Sequence, residues 1–259
     1  MNPKLDVYFL GTGTSQGIPV IGSTHPVCLS EDFRDKRLRV SIRVKSATTT
    51  LVIDCGPDFR QQMLRSQTAK LDAILFTHEH ADHTAGLDDI RPFSLSKGAL
   101  PIYVSEAVNQ NLRSRFAYIF DEENRYPGAP EVQVHIIEAG KAFKVGDIDI
   151  LPIEAKHGNL PILGFRFGKV AYMTDVKTLS AEALEQLKNL DVLIINALRQ
   201  EPHPTHLNVD EALALIEQIQ PKKTYFTHIS HHLGFHESVS KTLPKSIELA
   251  YDNLEIEIL

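Results

Sequence analysis

The chain has 259 residues, 42% of them hydrophobic and 23% charged, and a formal net charge of −6. That composition belongs to a globular protein with a sizeable core, and the acidic balance excludes a general attraction to nucleic acid, though not a local basic patch. No apolar run reaches the roughly 18 to 20 residues that a membrane span needs. The stretch from Met1 to Asp6 lacks the basic-then-apolar layout of a secretory signal, and the only cysteines, Cys28 and Cys55, imply no disulfide framework. The expectation is a cytoplasmic protein.

In chain order, short β-branched or aromatic runs bounded by Gly, Pro or Asp predict strands at Leu5–Leu10, Arg39–Val44, Thr50–Ile53 and Ala73–Phe76. A strand at Ile102–Val104 is followed by a helical pattern over Ser105–Tyr118 and a strand at Val132–Ile137. Strands are then expected at Ile148–Ile153, Leu163–Phe167 and Val170–Met173, a helix over Ser180–Leu190, and a strand at Val192–Ile195. The clearest helix is Asn208–Ile219. Its Val209, Ala212, Leu213, Ile216 and Ile219 recur at 3.6-residue spacing, Asn208 can cap the start, and Pro221 follows the end. Strands at Thr224–Phe226 and Leu254–Ile258 complete the pattern. With no repeat, low-complexity stretch or linker, this predicts one domain over 1–259, with two sheets covered by helices.

The chemistry is concentrated in Thr77-His78-Glu79-His80-Ala81-Asp82-His83, directly behind the apolar run Leu71–Phe76. Three imidazoles and two carboxylates suit a borderline or hard divalent cation such as Zn²⁺ or Mn²⁺. Alternation along an extended chain puts His78, His80 and Asp82 on one side, and His83 joins them if the chain turns helical there. Four to six donors seldom come from one loop, so further ligands are sought at strand ends. His157, Asp175 and His228 each stand where a hydrophobic strand gives way to a polar loop, a position where a rigid scaffold can hold a reactive group.

Taken together, His78-Glu79-His80-Ala81-Asp82-His83, His157, Asp175 and His228 resemble the ligand set of the metallo-β-lactamase superfamily. The likeness runs from Leu10-Gly11-Thr12-Gly13-Thr14-Ser15 to Thr227-His228-Ile229-Ser230-His231 in the same order. Within that superfamily the chain resembles the PhnP-type cyclic phosphodiesterases, relatives of tRNase Z. The residues that carry this are Gly86-Leu87-Asp88-Asp89, Gly164-Phe165-Arg166, and His206 ahead of the helix with Ala212-Leu213-Ala214-Leu215. The resemblance implies an α/β fold, a four-layer αββα sandwich of two mixed sheets flanked by helices. It implies two divalent metal ions, Zn²⁺ or Mn²⁺: His78, His80 and His157 on the first, Asp82, His83 and His228 on the second, Asp175 bridging. A hydroxide shared by the two ions would attack phosphorus, Asp82 could accept its proton, and His206 would meet the substrate phosphate as general acid or oxyanion partner. Asp54 would support the ligand loop from outside. The family often adds a structural zinc near the N-terminus; here Ser23 and His25 stand where two of its cysteines would be, so His25, Cys28 and His231 leave a three-ligand remnant, for which loop packing is the better reading.

The expected substrate is therefore a small, cyclic phosphodiester, with no membrane partner and a homodimer as the default assembly. Rival readings on the same scaffold are cleavage of a tRNA 3′ end, a thioester or a lactone; no Gly- and Lys-rich arm for tRNA is visible. A non-hydrolytic redox module, as in flavodiiron proteins, is the rival of another class. Gly11-Thr12-Gly13 lacks the spacing of a dinucleotide-binding loop. Arg91 could bind phosphate or pair with Asp88 or Asp89. His135 is expected to face solvent; His203, His232 and His236 lie in polar loops near the candidate ligands and read as surface residues in preference to substrate contacts. The segments Pro92–Leu100 and Asp121–Pro130 are expected as loops walling the pocket.

Overall fold

Val7 and Phe9, Ile42 and Val44, Leu51 and Ile53 are two residues apart on neighbouring strands, so each pair faces the same way. All six are buried. They belong to β1 (Leu5–Gly11), β2 (Ser41–Lys45) and β3 (Thr50–Ile53), which with β4 (Ala73–Leu75), β5 (Leu100–Val104), β6 (Val132–Ile136) and the last strand, β14 (Glu255–Ile258), form one sheet. Its order is β14-β1-β2-β3-β4-β5-β6. The first pairs are antiparallel, and β3 to β6 run parallel. The computed structural model describes residues 3–121 and 123–258. Met1 and Asn2, in the N-terminal stretch read above, Glu122, in the Asp121–Pro130 segment, and Leu259 lie outside the described residues.

The second sheet repeats the plan. β7 (Phe143–Val145), β8 (Ile148–His157), β9 (Leu160–Phe167) and β10 (Val170–Met173) are antiparallel; β10 then runs parallel with β11 (Val192–Asn196), β12 (Lys223–Thr227) and β13 (Ile247–Leu249). Val7, Ile42, Leu51 and Leu75 from one sheet and Phe165, Tyr172, Ile194 and Tyr225 from the other share a single buried cluster, so the sheets pack face to face.

Helices cover both outer faces. A short turn, α1 (Pro26–Leu29), lies in the excursion between β1 and β2. Between β3 and β6 come α2 (Phe59–Arg65), α3 (Ala81–Thr84), α4 (Arg91–Lys97), α5 (Glu106–Arg115) and α6 (Ala117–Phe120). Phe59, Met63, Val108, Leu112 and Ile119 pack with Val52, Ile74 and Ile102 on the outside of the first sheet. On the outside of the second, α7 (Ala181–Gln186), α8 (Val209–Ile219) and α9 (His236–Ser240) supply Ala183, Ala212, Ile216, Ile219 and Val239. The expected four-layer αββα arrangement is therefore present. α8 starts as read: Asn208 accepts from the Glu211 amide at 2.9 Å while Glu211 Oε2 accepts from the Asn208 amide at 3.0 Å, a capping box contributing about 1 kcal/mol.

Three expectations change. The helix over Ser105–Tyr118 is two helices, α5 and α6, broken at Phe116, whose backbone leaves helical space (φ −121°, ψ 42°). Pro92–Leu100 is mostly α4, with Pro92 in its first turn, where the missing N–H is no loss. His135 is half-buried, its ring stacked 4.7 Å from Tyr103.

His236 is also no surface residue: it is 6% exposed, with Nδ1 3.1 Å from Nη2 of the buried Arg37. Burial and the Arg37 charge push its pKa down to about 4. An unfolded histidine titrates near 6.5, so between those values the unfolded chain holds one more proton and stability falls as pH falls. The Tm of the native chain should therefore drop more between pH 7 and pH 5 than that of His236→Gln in parallel melts. Equal drops would remove His236 as the cause.

Candidate metal centre

The parallel strands of both sheets deliver their C-terminal ends to one edge of the sandwich, where ligand sites form in open α/β sheets. Asp54 follows β3, the His78–His83 segment follows β4, Asp175 follows β10, and His228 follows β12; His157 ends β8. Asp54, Asp175 and His228 have positive φ, 65°, 60° and 53°. Non-glycine residues adopt this left-handed region at a cost, and such strain gathers at functional sites. Here it turns three side chains inward just where their strands stop.

The turn after β4 is built around Asp54, which is fully buried. Its carboxylate accepts from the Thr77 amide at 2.8 Å and the Thr77 hydroxyl at 2.9 Å, and lies 2.7 Å from His83 Nδ1. The hydroxyl has spent its one proton on Asp54, so toward His78 Nδ1, 3.0 Å away, it can only accept. His78 is thus protonated at Nδ1, and its Nε2 lone pair faces the site. His157 is fixed likewise, since its Nδ1 donates to the Thr205 carbonyl at 2.8 Å. α3 provides the turn that brings His83 beside Asp82. From the other side, Arg115 of α5 donates to the Glu79 carbonyl at 3.2 Å and to Thr84 Oγ1 at 2.7 Å, steadying the loop.

Donor atoms converge. Among the described residues four triads have ligand atoms within 4.8 Å of one another: His78, His80 and His157; Asp82, His83 and His228; His78, His83 and Asp175; and His157, Asp175 and His206. The first two coincide with the two ligand triads implied by the resemblance, and Asp175 stands between them. Its oxygens lie 3.1 Å from His228 Nε2, 3.4 Å from His83 Nε2 and 3.6 Å from His206 Nδ1. His83 Nε2, His206 Nδ1 and both ring nitrogens of His228 are buried without a hydrogen-bond partner. Buried polar atoms are rarely left so. A cation within the cluster would satisfy Nε2 of His83 and Nε2 of His228, which both face Asp175, and the residues fit one.

The electrostatics agree. Burial pushes the His78 pKa well down, so its ring is neutral. Burial works against ionising Asp175 and Asp82, yet the surrounding imidazoles, chiefly His228 and His83, hold both below the usual carboxylate range. His83, although buried, is raised because Asp54, Asp175 and Asp82 surround it. A neutral His78 beside ionised Asp82 and Asp175 is the state that metal binding requires, and a bound cation would displace the proton that the carboxylates hold on His83.

Other expected residues lie apart. His25 and His231 approach, with rings 5.0 Å apart, but His25, Cys28 and His231 form no such converging triad among the described residues. The reason is local: His25 Nδ1 accepts from the Val27 amide at the start of α1, and Cys28 is buried with Ile18 and Val27. Arg91 pairs with Asp88 at 2.7 Å and donates to Tyr126 Oη. Two contributors had no sequence signal. Thr77 and Thr205 act through a hydroxyl and a carbonyl, which leave no trace in ligand spacing.

The family described as Beta-lactamase superfamily domain matches residues 49–229. A crystal structure of a diphosphatase from the PhnP family is similar to all of this chain and 98% of that one, with a TM-score of 0.93 and 39% identity. An octanoyltransferase of Porphyromonas gingivalis is 41% identical over 248 residues, 95% of this chain but 50% of that protein; the chain thus spans half the length of this relative. A ribonuclease Z of Listeria monocytogenes is 25% identical, covering 96% of this chain and 97% of that one. No helix among the described residues is long and apolar enough to cross a membrane. The chain belongs to the β-lactamase superfamily, with the metallo-β-lactamase fold, and to its PhnP family.

Proposed function

We propose that this domain is a metal-dependent hydrolase that opens a P–O bond in a small phosphodiester. His78, His80 and His157 would hold one divalent cation, Zn²⁺ or Mn²⁺, and Asp82, His83 and His228 a second, with Asp175 shared. The observation that supports this most is the set of buried, partnerless nitrogens on His83, His206 and His228 around two ionised carboxylates. Bound ions of this kind supply Lewis acidity toward phosphoryl oxygens and make water acidic enough to serve as nucleophile near pH 7.

The chain's own residues do the rest. Asp54 keeps Nδ1 of His83 occupied, so Nε2 is the nitrogen presented to the centre. The Thr205 carbonyl does the same for His157. Asp82, ionised and only partly buried, would orient the attacking water; the imidazoles that hold its carboxylate below the usual range make it a weak proton acceptor. Burial pushes His206 down to about 2, so its ring is neutral at pH 7. It therefore serves as a hydrogen-bond donor to a phosphoryl oxygen, where charge builds in the transition state, rather than as a general acid.

A second reading, cleavage of a diphosphate bridge, is favoured by the PhnP-family diphosphatase that is 39% identical. It uses the same groups. A nucleic-acid substrate has the ribonuclease Z relative in its favour, but the net charge of −6 argues against it. Octanoyl transfer finds no support in this chain. Half of that relative lies outside the alignment, and the two cysteines here are buried, with Cys55 pushed up by burial, so neither offers a reactive thiolate.

The test is a panel of bis(p-nitrophenyl) phosphate, a 2′,3′-cyclic nucleotide, a diphosphate diester and a short RNA. Each is assayed after chelation and again after adding Zn²⁺ or Mn²⁺. Chelation should lower the rate on one of the first three by about a hundredfold or more, and metal should restore it. A rate indifferent to the chelator sinks the proposal.

A further inference from the structure

The imidazoles of His157, His206 and His203 form a row leading out of the cluster, with ring centres 4.4 Å and then 5.0 Å apart. The first two are buried, and His203 is half-buried at the outer end. His203 Nδ1 lies 3.3 Å from the Thr205 amide nitrogen and 3.2 Å from Thr205 Oγ1. A backbone N–H can only donate, so Nδ1 is the acceptor, and the neutral ring carries its proton on Nε2. The carbonyl of that same Thr205 holds His157. One residue therefore ties His203 to a proposed ligand. Thr205 also sits tightly against Gly158, where an added Cβ would meet Thr205 Cγ2 at 3.0 Å. His203 is thus held in place, not dangling.

Nε2 of His203 has no hydrogen-bond partner and is not among the buried unsatisfied atoms. Beside it, Arg199 wraps the same turn, with Nε donating to the Glu201 carbonyl at 3.2 Å and Nη2 to the Pro202 carbonyl at 2.9 Å. That leaves Nη1 free of those bonds. Two donors bonded to no carboxylate thus share one turn, and His203 stands 5.0 Å from His206, the imidazole proposed to meet the reacting phosphoryl group. Their shared chemistry is recognition of an anionic oxygen.

We infer that His203, with Arg199, is a specificity site for a second phosphoryl group, so that the preferred substrate carries two linked phosphates with the reacting one beside His206. This rests on the hydrolase reading and deepens it. With ring centres 5.0 Å apart, His206 and His203 are spaced to meet the two phosphates of one diphosphate.

Two variants of the full chain, loaded with Zn²⁺ or Mn²⁺, test it on bis(p-nitrophenyl) phosphate and on diadenosine 5′,5′-diphosphate. His203→Asn keeps an acceptor for the Thr205 amide but removes the donor at the Nε2 position; His203→Gln returns a donor near that position. Loss of a hydrogen bond to a charged group corresponds to about tenfold or more. In His203→Asn, kcat/KM for the diphosphate should therefore fall about tenfold relative to kcat/KM for the monophosphate diester, through KM, and His203→Gln should recover part of it. Equal falls on both substrates, or no fall on either, overturn the specificity role. A native chain that cleaves only the monophosphate diester overturns it as well, with the hydrolase reading left standing. A metal-loaded native chain inert toward both overturns the hydrolase reading, and this inference with it.

Discussion

Asp175→Asn should lower kcat on the best substrate of the panel by on the order of 10³-fold and cost the chain one equivalent of bound metal. Three imidazole nitrogens, those of His228, His83 and His206, lie 3.1 to 3.6 Å from its oxygens. It is the only carboxylate standing between the two ligand triads among the described residues. Asparagine is nearly the same shape and tolerates φ of 60°, so the backbone after β10 has no reason to move. Charge is what changes. An amide cannot serve two cations, and one of its faces presents N–H groups to imidazoles that need an acceptor or a metal. Metal content by mass spectrometry, kcat and a thermal melt separate the outcomes. Full rate with full metal content would show that Asp175 is only a buried partner of His228.

Asp54→Asn should act at one remove and differ in kind. Asp54 accepts the Thr77 amide and hydroxyl and lies against His83 Nδ1, all within 2.7 to 2.9 Å. Asparagine can keep one acceptor but turns an NH₂ toward groups that must donate. His83 then loses the bond that selects its tautomer. Outer partners of this type typically affect metal affinity by about 10- to 100-fold, and that loss is expected in a Zn²⁺ titration. A buried donor left without an acceptor also costs about 1–3 kcal/mol, so urea unfolding of the metal-free chain should be destabilised by about that amount. In the Asp175 variant the defect follows the metal; here part of it remains after chelation. An Asp54→Asn chain with native stability and native affinity would remove Asp54 from the account.

Much of this architecture is legible in the residues, for a physical reason. Strands covered on both faces, such as Thr50–Ile53, Val170–Met173 and Val192–Ile195, are continuous apolar runs, and the stripe of Asn208–Ile219 has the helical period. β7 and β13 escape because each is three residues long at a sheet edge, where pairing and not composition makes the strand. α2 and α4 escape because their faces are mixed: Leu64 and Leu95 are more than 60% exposed, which blurs the periodicity. His78, His80, Asp82 and His83 can be found by spacing, and the family resemblance carries His157, Asp175 and His228 to the same place. The supports cannot be found that way. Thr205 meets His157 across 48 positions through its backbone. The positive φ of Asp54, Asp175 and His228 lacks the glycine that would have signalled it. His236 reads as polar loop and lies buried against Arg37 because that charge, brought in from 199 positions away, supplies its partner.

The most direct measurement is calorimetric titration of the chelator-stripped chain with Zn²⁺, with bound metal counted after dialysis. Two equivalents per chain in the native protein, falling in His78→Ala and in His228→Ala, is the result this structure predicts. Retention of fewer than one equivalent by the native chain, or unchanged binding in both variants, would contradict it.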